Sequence, residues 1–274
     1  MKMKSFSNFA ASVAGHAGCG THLRHESPMH HETNALGQPI GLSLPHWKPP
    51  GFPPGEPMVG RFCRVEPLQR RLHSESLHAA NALDVEGRMW TYLPYGPFAT
   101  LEAYRAWIEE VWSGSDPMFY AIVDTSTGRA LGVAGYLRIS PASGSIEVGH
   151  ISYSPLLQRT PAATEAMYLM MARVFELGYR RYEWKCHALN APSRAAALRL
   201  GFTFEGVFRQ ATVIKGRNRD TAWYSVIDEE WPALKEAFGR WLAPANFDEQ
   251  GKQRIRLSAL TTSLRSVPRG GSGD

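Results

Sequence analysis

"IEVGHISYSPLLQRTPAATEAMYLMMARVFELGYRRYEWKC", residues 146–186, decides the fold. It reads as strand, polar turn, helix and strand. Two strands joined through a helix lie parallel in one sheet with a right-handed crossover. Alternation along "IEVGHISYSP" predicts one face carrying Glu147, Gly149, Ile151 and Tyr153 and another carrying Val148, His150 and Ser152. A glutamate in an otherwise apolar central strand is costly to bury without a partner. Such a carboxylate tends towards a raised pKa, which suits a general base. A salt bridge to an arginine accounts for it equally well. His150 is a lesser candidate, since a lone strand histidine is more often structural.

The turn "LQRTPAATEA" (157–166) enters the long helix "AATEAMYLMMARVFELG", which Gly178 stops. Free N–H groups and the positive dipole end at a helix start suit a pyrophosphate. Gln158, Arg159 and Thr160 add donors, and the small Ala162 and Ala163 let a ligand lie close to the backbone. Pro161 lacks an N–H but is well tolerated in a first turn. Taken alone, a polar turn into a core helix is common. Neither GxGxxG nor GxxxxGK[ST] occurs, which speaks against dinucleotide-binding and P-loop folds.

Downstream, "APSRAAALRLG" is a short helix that Asn190 is placed to cap, with Ser193 in its first turn facing the end of the preceding strand. A cap and a surface serine explain these two as well. "FTFEGVFRQATVI" and "TAWYSVI" form a hairpin around the turn "KGRNRD", and "DEEWPALKEAFGRWL" is a terminal helix. Upstream, "GRFCRVEPL" is a first strand, and "LHSESLHAANAL" is a helix with Leu72, Leu77 and Ala80 on one side. "RMWTYLPYGPF" is an aromatic loop, and "TLEAYRAWIEEVW" is a helix capped by Thr100. "FYAIVD" and "ALGVAGYLRIS" make a hairpin over "TSTG". The order β-α-α-β-β-β-α-β-α-β-β-α describes one mixed α/β domain over 58–245. Residues 1–57 read as an unstructured extension ending in the Pro/Gly-dense "HWKPPGFPPGEP", and 246–274 as a frayed tail.

The 274 residues are 43% hydrophobic and 20% charged, ordinary for a globular chain, with net charge +5. A basic stripe with interleaved aromatics is missing, so nucleic acid is not expected as a partner. Cys19, Cys63 and Cys186 are odd in number and far apart, which fits a reducing, cytoplasmic setting and argues against a disulfide framework or a zinc site. The histidines His16, His22, His25, His30 and His31 lack regular spacing or acidic partners, so no metal is expected. No apolar run approaches the roughly 20 residues that span a bilayer. For "MKMKSFSNFAASVAGHAGCG" a gene start placed too early, with Met29 opening a shorter chain, is favoured over a targeting peptide.

These pieces in this order resemble the GNAT superfamily of N-acetyltransferases, in particular its RimJ/RimL-like branch, over about 58–232. The family's turn Q/R-x-x-G-x-G/A would here be Gln158, Arg159, Thr160, Pro161, Ala162 and Ala163, with proline departing from the pattern. The more specific signature, N-x-x-S before a short helix and G-F-x-x-E-G, is present as Asn190, Ser193, Gly201, Phe202, Glu205 and Gly206. The resemblance implies a largely antiparallel sheet with a central splayed parallel pair and flanking helices, acetyl-CoA as co-substrate and no metal. The pantetheine arm would pair with backbone near Ile151 and Tyr153, and the pyrophosphate would rest on the amides of Arg159 to Ala163. Asn190 would hold the pantetheine, Ser193 would protonate the leaving thiolate, and Glu147 would take the amine's proton.

The acceptor would be a primary amine on a protein N-terminus, a small molecule or an aminoacyl compound. An α-amino group, pKa about 8, needs less help losing its proton than lysine at about 10.4. Trp90, Tyr92 and Tyr95, with His150, are the expected acceptor-side residues, since aromatic rings can stack on a planar or apolar acceptor. Trp107 and Trp112 fall at helical spacing and are expected in the core. The enzyme would work as a monomer or homodimer. A rival of another class, suggested by Pro161 and the basic balance, is a catalytically idle acyl-CoA-binding or RNA-associated module.

Overall fold

The computed structural model describes residues 31–112 and 114–265. Of the extension read over 1–57, residues 1–30 lie outside the described residues, as do Cys19 and the first four tail histidines. The described chain falls into two units, one ending at Ser43 and one starting at Leu44. In the first, β1 (Glu32–Thr33) and β2 (Pro39–Ile40) pair antiparallel, around a turn in which Asn34 Oδ1 accepts from the N–H groups of Leu36 and Gln38.

The second unit is built on an eight-stranded sheet: β3 (Met58–Val59), β4 (Cys63–Pro67), β5 (Met118–Asp124), β6 (Ala130–Ser140), β7 (Ser145–Tyr153), β8 (Arg181–His187), β9 (Thr203–Ile214) and β10 (Arg217–Ile227). Its spatial order is β3-β4-β5-β6-β7-β8-β10-β9, antiparallel throughout except for the parallel pair β7–β8. The helices are α1 (Arg70–Asn81), α2 (Leu101–Trp112), α3 (Pro161–Glu176), α4 (Ala191–Arg199), α5 (Trp231–Leu242) and α6 (Leu257–Arg265). The expected fold class is the observed one.

β5 shows how the sheet divides two cores. Tyr120 and Ile122 point to the side of α3 and α5, among Met167, Met170 and Phe238, while Phe119, Ala121 and Val123 point to α1 and α2, among Leu77, Tyr104 and Trp107. Trp107 is therefore a core residue, as its spacing predicted; the side chain of Trp112 lies outside the described residues. Thr100 caps α2 by accepting from Ala103 N–H at 3.2 Å.

Four expectations change. In α1, Leu72 is exposed, and the buried stripe runs through His73, Leu77, Ala80 and Asn81, the i, i+4, i+7, i+8 face that a five-residue step from Leu72 misses. In the linker, Gly51 and Pro54 offer their carbonyls to the hydroxyls of Tyr179 and Tyr120, so proline-rich chain lies against the domain without forming helix or sheet. The tail read as frayed after 245 carries α6, whose Leu257 and Thr261 are fully buried. Finally, the β9–β10 turn is two residues, Lys215 and Gly216, both at positive φ (50° and 70°), and "RNRD" belongs to β10. A Lys-Gly pair adopting a primed turn keeps both strands paired to the tip.

Candidate active site

Pairing between β7 and β8 runs from Ser145↔Arg181 to Val148↔Trp184 and stops, although β7 continues to Tyr153 and β8 to His187. Beyond that point each strand presents an unpaired edge to the other. The splay opens a cleft of about 710 Å³ whose walls include Glu147, His150, Ile151, Asn190, Ser193 and Tyr92.

The cause of the splay is legible in β7. Gly149 faces Gly135, whereas Ser152 faces Val133, so β7 spends one extra residue there. His150 sits in this bulge with φ 51°. A bulge resets the alternation, which corrects the expected faces. Val148, Ile151 and Tyr153 all pack on the α3 side. His150 turns the other way, towards Phe119 (ring centroids 5.0 Å) and Tyr95 (5.6 Å, planes 11° apart), with Nδ1 3.2 Å from the Tyr95 hydroxyl. Burial pushes the His150 imidazole down to about 4, with the Arg138 and Arg219 guanidiniums adding to that, so it is neutral at pH 7.

Glu147 is 3% exposed and paired twice, with Arg138 Nη1 at 2.8 Å and Lys185 Nζ at 3.0 Å. Burial holds its carboxyl above the usual range, while Lys185 and Arg138 pull it part of the way back. Lys185 also reaches Glu183 at 2.7 Å and lies 3.7 Å from the centroid of the Trp223 ring. Glu147 is the one carboxylate among the described residues lining the cleft.

At the far side of the splay, Asn190 caps α4: its Oδ1 accepts from Ser193 N–H at 3.2 Å. Ser193 Oγ accepts from Trp184 Nε1 at 3.0 Å, and its hydroxyl also lies beside the Cys186 thiol. Glu205 of the same signature is structural. It takes both Nη groups of Arg181 at 2.8 and 2.6 Å and the Ser225 hydroxyl at 2.7 Å, tying β9 to its neighbours.

The turn into α3 sits apart from these walls. Pro161 is the first helical residue, and Thr160 is the N-cap. Thr160 Oγ1 accepts from Ala163 N–H and donates to the Leu157 carbonyl, Thr160 N–H goes to the same carbonyl, and Gln158 Nε2 donates to the Tyr153 carbonyl. Thr160 and Gln158 are thus spent inside the turn. Among the described residues, no hydrogen bond uses the N–H groups of Arg159, at φ 62°, and Ala162.

The aromatic loop divides. Tyr92 lines the cleft, donates to the Leu189 carbonyl at 3.2 Å and meets His187 edge-on. Tyr95 is stacked behind His150 and against Trp107, outside the cleft lining. Trp90, 4% exposed, is core: it packs edge-on against Phe98, and no acceptor can stack on it. The 3.6-residue spacing that flags core tryptophans in helices has no counterpart in a loop. Sequence reasoning missed Arg138, Lys185, Arg219 and Trp223, all on the cleft wall. The Lys-Gly turn pair was the signal that would have put Arg219 and Trp223 in one strand on one face.

Among the described residues no helix is long and apolar enough to cross a membrane. Residues 64–203 match the acetyltransferase (GNAT) domain family. None of the curated proteins matches the chain. Among solved structures, a GCN5-related N-acetyltransferase from Brucella melitensis is 47% identical, covering 80% of this chain and 100% of that one, with TM-score 0.78. A probable GNAT-family acetyltransferase from Chromobacterium violaceum is 42% identical over 72% of this chain and 98% of that one, with TM-score 0.67. A RimL ribosomal alpha-N-protein acetyltransferase in complex with coenzyme A shares the fold at 22% identity and TM-score 0.54, covering 63% of this chain and 98% of that one. The splayed pair, the capped α4 and these matches together place the chain in the GNAT family of acetyl-CoA-dependent acetyltransferases.

Proposed function

We propose that the chain is a RimJ/RimL-like N-acetyltransferase that moves an acetyl group to a primary amine by direct attack in a ternary complex. The observation that carries this reading is the cleft where β7 and β8 part, with Glu147 on one wall and Asn190 and Ser193 on another. The free edge of β7 near Ile151 and Tyr153 offers backbone groups to the pantetheine arm, as an added strand would use them. Asn190 holds the arm's amide from α4. The N–H groups of Arg159 and Ala162 meet the pyrophosphate, so the hydrogen bond lost at Pro161 is one of several.

In the reaction the amine nitrogen attacks the thioester carbonyl. The C–N bond forms, the C–S bond breaks, and backbone donors on the splayed strand stabilise the oxyanion. Glu147 takes the proton from the amine, directly or through water, Ser193 gives its hydroxyl proton to the departing sulfur, and the proton on Glu147 returns to the serine oxygen through solvent. Holding two substrates in line supplies much of the rate.

Calorimetry with acetyl-CoA should show binding that weakens in Arg159→Glu, and free-thiol release with a panel of amines should fall about 100-fold or more in Ser193→Ala. Absence of acetyl-CoA binding by the intact protein sinks the reading. Binding with full turnover in Ser193→Ala removes the role of that residue alone.

A further inference from the structure

The charges on the cleft wall do not balance. Three cationic side chains line it, Arg138, Lys185 and Arg219, against the single carboxylate of Glu147. Lys185 has a second carboxylate outside the cleft, Glu183 at 2.7 Å, and Glu183 in turn holds Arg181 at 2.6 Å. Arg138 is matched by Glu147 at 2.8 Å. Arg219 is left over. Its Nε donates to Thr221 Oγ1 at 3.2 Å, and among the described residues it makes no ion pair.

The carboxylate next to it in sequence does not help. Asp220 points to the opposite face of β10, where it accepts from Gln210 N–H at 2.7 Å and Asn218 Nδ2 at 3.1 Å. Arg219 is half-buried, and burial lowers its pKa, while the charge of Glu147 offsets part of this from beyond ion-pair distance. A guanidinium taken out of water without a counter-ion is costly, and its planar fork of donors fits a carboxylate or phosphate. The turn into α3, where the pyrophosphate is placed above, contributes no residue to this wall. The pyrophosphate placed there is therefore not the anion that Arg219 meets.

The backbone holds the second cation in place. Arg138 sits at φ 48°, and the Asp116 carboxylate accepts from Arg138 N–H at 3.0 Å and Ile139 N–H at 2.9 Å. The Arg138 side chain is 61% exposed and, among the described residues, uses only Nη1, on Glu147, so other guanidinium donors remain. The cleft is also bridged. Lys215, at the tip of the β9–β10 hairpin, donates to the carbonyls of Trp90 at 2.9 Å and Gly96 at 3.1 Å, so the hairpin and the aromatic loop close over one another. A bridged cleft admits a small molecule more readily than a folded protein surface.

We infer that the acceptor is a small primary amine that also carries an anionic oxygen group, a carboxylate or a phosphate, and that Arg219 binds that group with Arg138 beside it. The inference rests on the acetyl-transfer reading and names the substrate class of the same site.

The test compares matched pairs with the full-length protein: amino acids against their carboxamides, and phosphoethanolamine against ethanolamine. Free-thiol release should favour the anionic member of a pair by about tenfold or more in kcat/KM, the scale of a charge-assisted bidentate contact. Which pair responds separates carboxylate from phosphate. In Arg219→Gln the preference should collapse through KM while the KM for acetyl-CoA stays put, and Arg219→Lys should keep part of it. Neutral amines used as well as anionic ones overturn the inference, as does a preference that survives Arg219→Gln. If acetyl-CoA binds and no amine turns over, thermal shifts of the CoA-saturated protein decide. A shift with the anionic member alone supports the inference, and equal or absent shifts overturn it. Failure to bind acetyl-CoA is a different result, which removes the acetyl-transfer reading itself.

Discussion

His150 shows what one residue does to this site. Sequence alternation is legible for Glu147, because a charged side chain interrupts an apolar run. The bulge at His150 is not, because one inserted residue leaves no mark on composition and only shifts every later side chain to the other face. The consequence is a neutral imidazole in the cleft wall, its pKa pushed from 6.5 to about 4 chiefly by burial. A histidine whose folded pKa is depressed loses stability as pH falls, because the unfolded chain takes up the proton first. That loss starts near 6.5, is complete near 4 and amounts to at most about 3 kcal/mol. Urea midpoints between pH 7.5 and 4.5 should therefore fall more steeply for the wild type than for His150→Asn, in which asparagine tolerates the left-handed backbone. Parallel slopes for the two proteins would show that His150 titrates normally.

At the scale of elements, the parallel pair and the capped α4 were legible because helical periodicity, glycine stops and the Asn190 cap are local signals. The β9–β10 hairpin was misjudged by four residues because "KGRNRD" is polar throughout. Polarity fits a loop as well as it fits a strand whose faces are solvent and a charged cleft. Another contact was out of reach because it joins positions about a hundred residues apart. Glu165, buried in α3, accepts from the N–H groups of Arg61, Phe62 and Cys63 at 2.8, 2.6 and 2.9 Å. Gly60 fits only because it has no side chain, since a Cβ there would lie 2.4 Å from the carboxylate. This contact fixes the start of α3, and with it the turn at Arg159 to Ala163, against the entry to β4. Glu165→Gln offers one acceptor oxygen where three donors converge and brings an NH₂ among them. Hydrogen bonds to charged groups contribute about 1.5–3 kcal/mol each, and the variant should lose about 2 kcal/mol or more of unfolding free energy. A denaturant midpoint unchanged from wild type would mean that water replaces the carboxylate without cost.

Across the whole molecule, the two halves of the proposed CoA site are joined at Arg199, which is itself held by a segment that the sequence made look dispensable. Arg199, at the end of α4, donates to Thr164 Oγ1 in the first turns of α3 at 3.1 Å, and its own carbonyl accepts from Thr261 Oγ1 of α6 at 3.1 Å. α6 thus holds the C-terminal end of the helix whose first turn carries Asn190 and Ser193. The tail read as frayed because "KQRIRLSALTTSLRS" follows a polar stretch and is too short to form a helix alone. Tertiary burial of Leu257 supplies what local propensity does not. Ending the chain after Arg256 removes that side chain, worth about 1.5–3 kcal/mol, and the Thr261 hydrogen bond, worth about 1 kcal/mol. The truncated protein should unfold at clearly lower denaturant, by about 3 kcal/mol. It should also bind acetyl-CoA more weakly under conditions where it is still folded, because α4 is no longer held from behind. Calorimetry beside the unfolding curve separates the two effects. A truncated chain matching the full chain in both measurements would return residues 257–265 to the role of a tail.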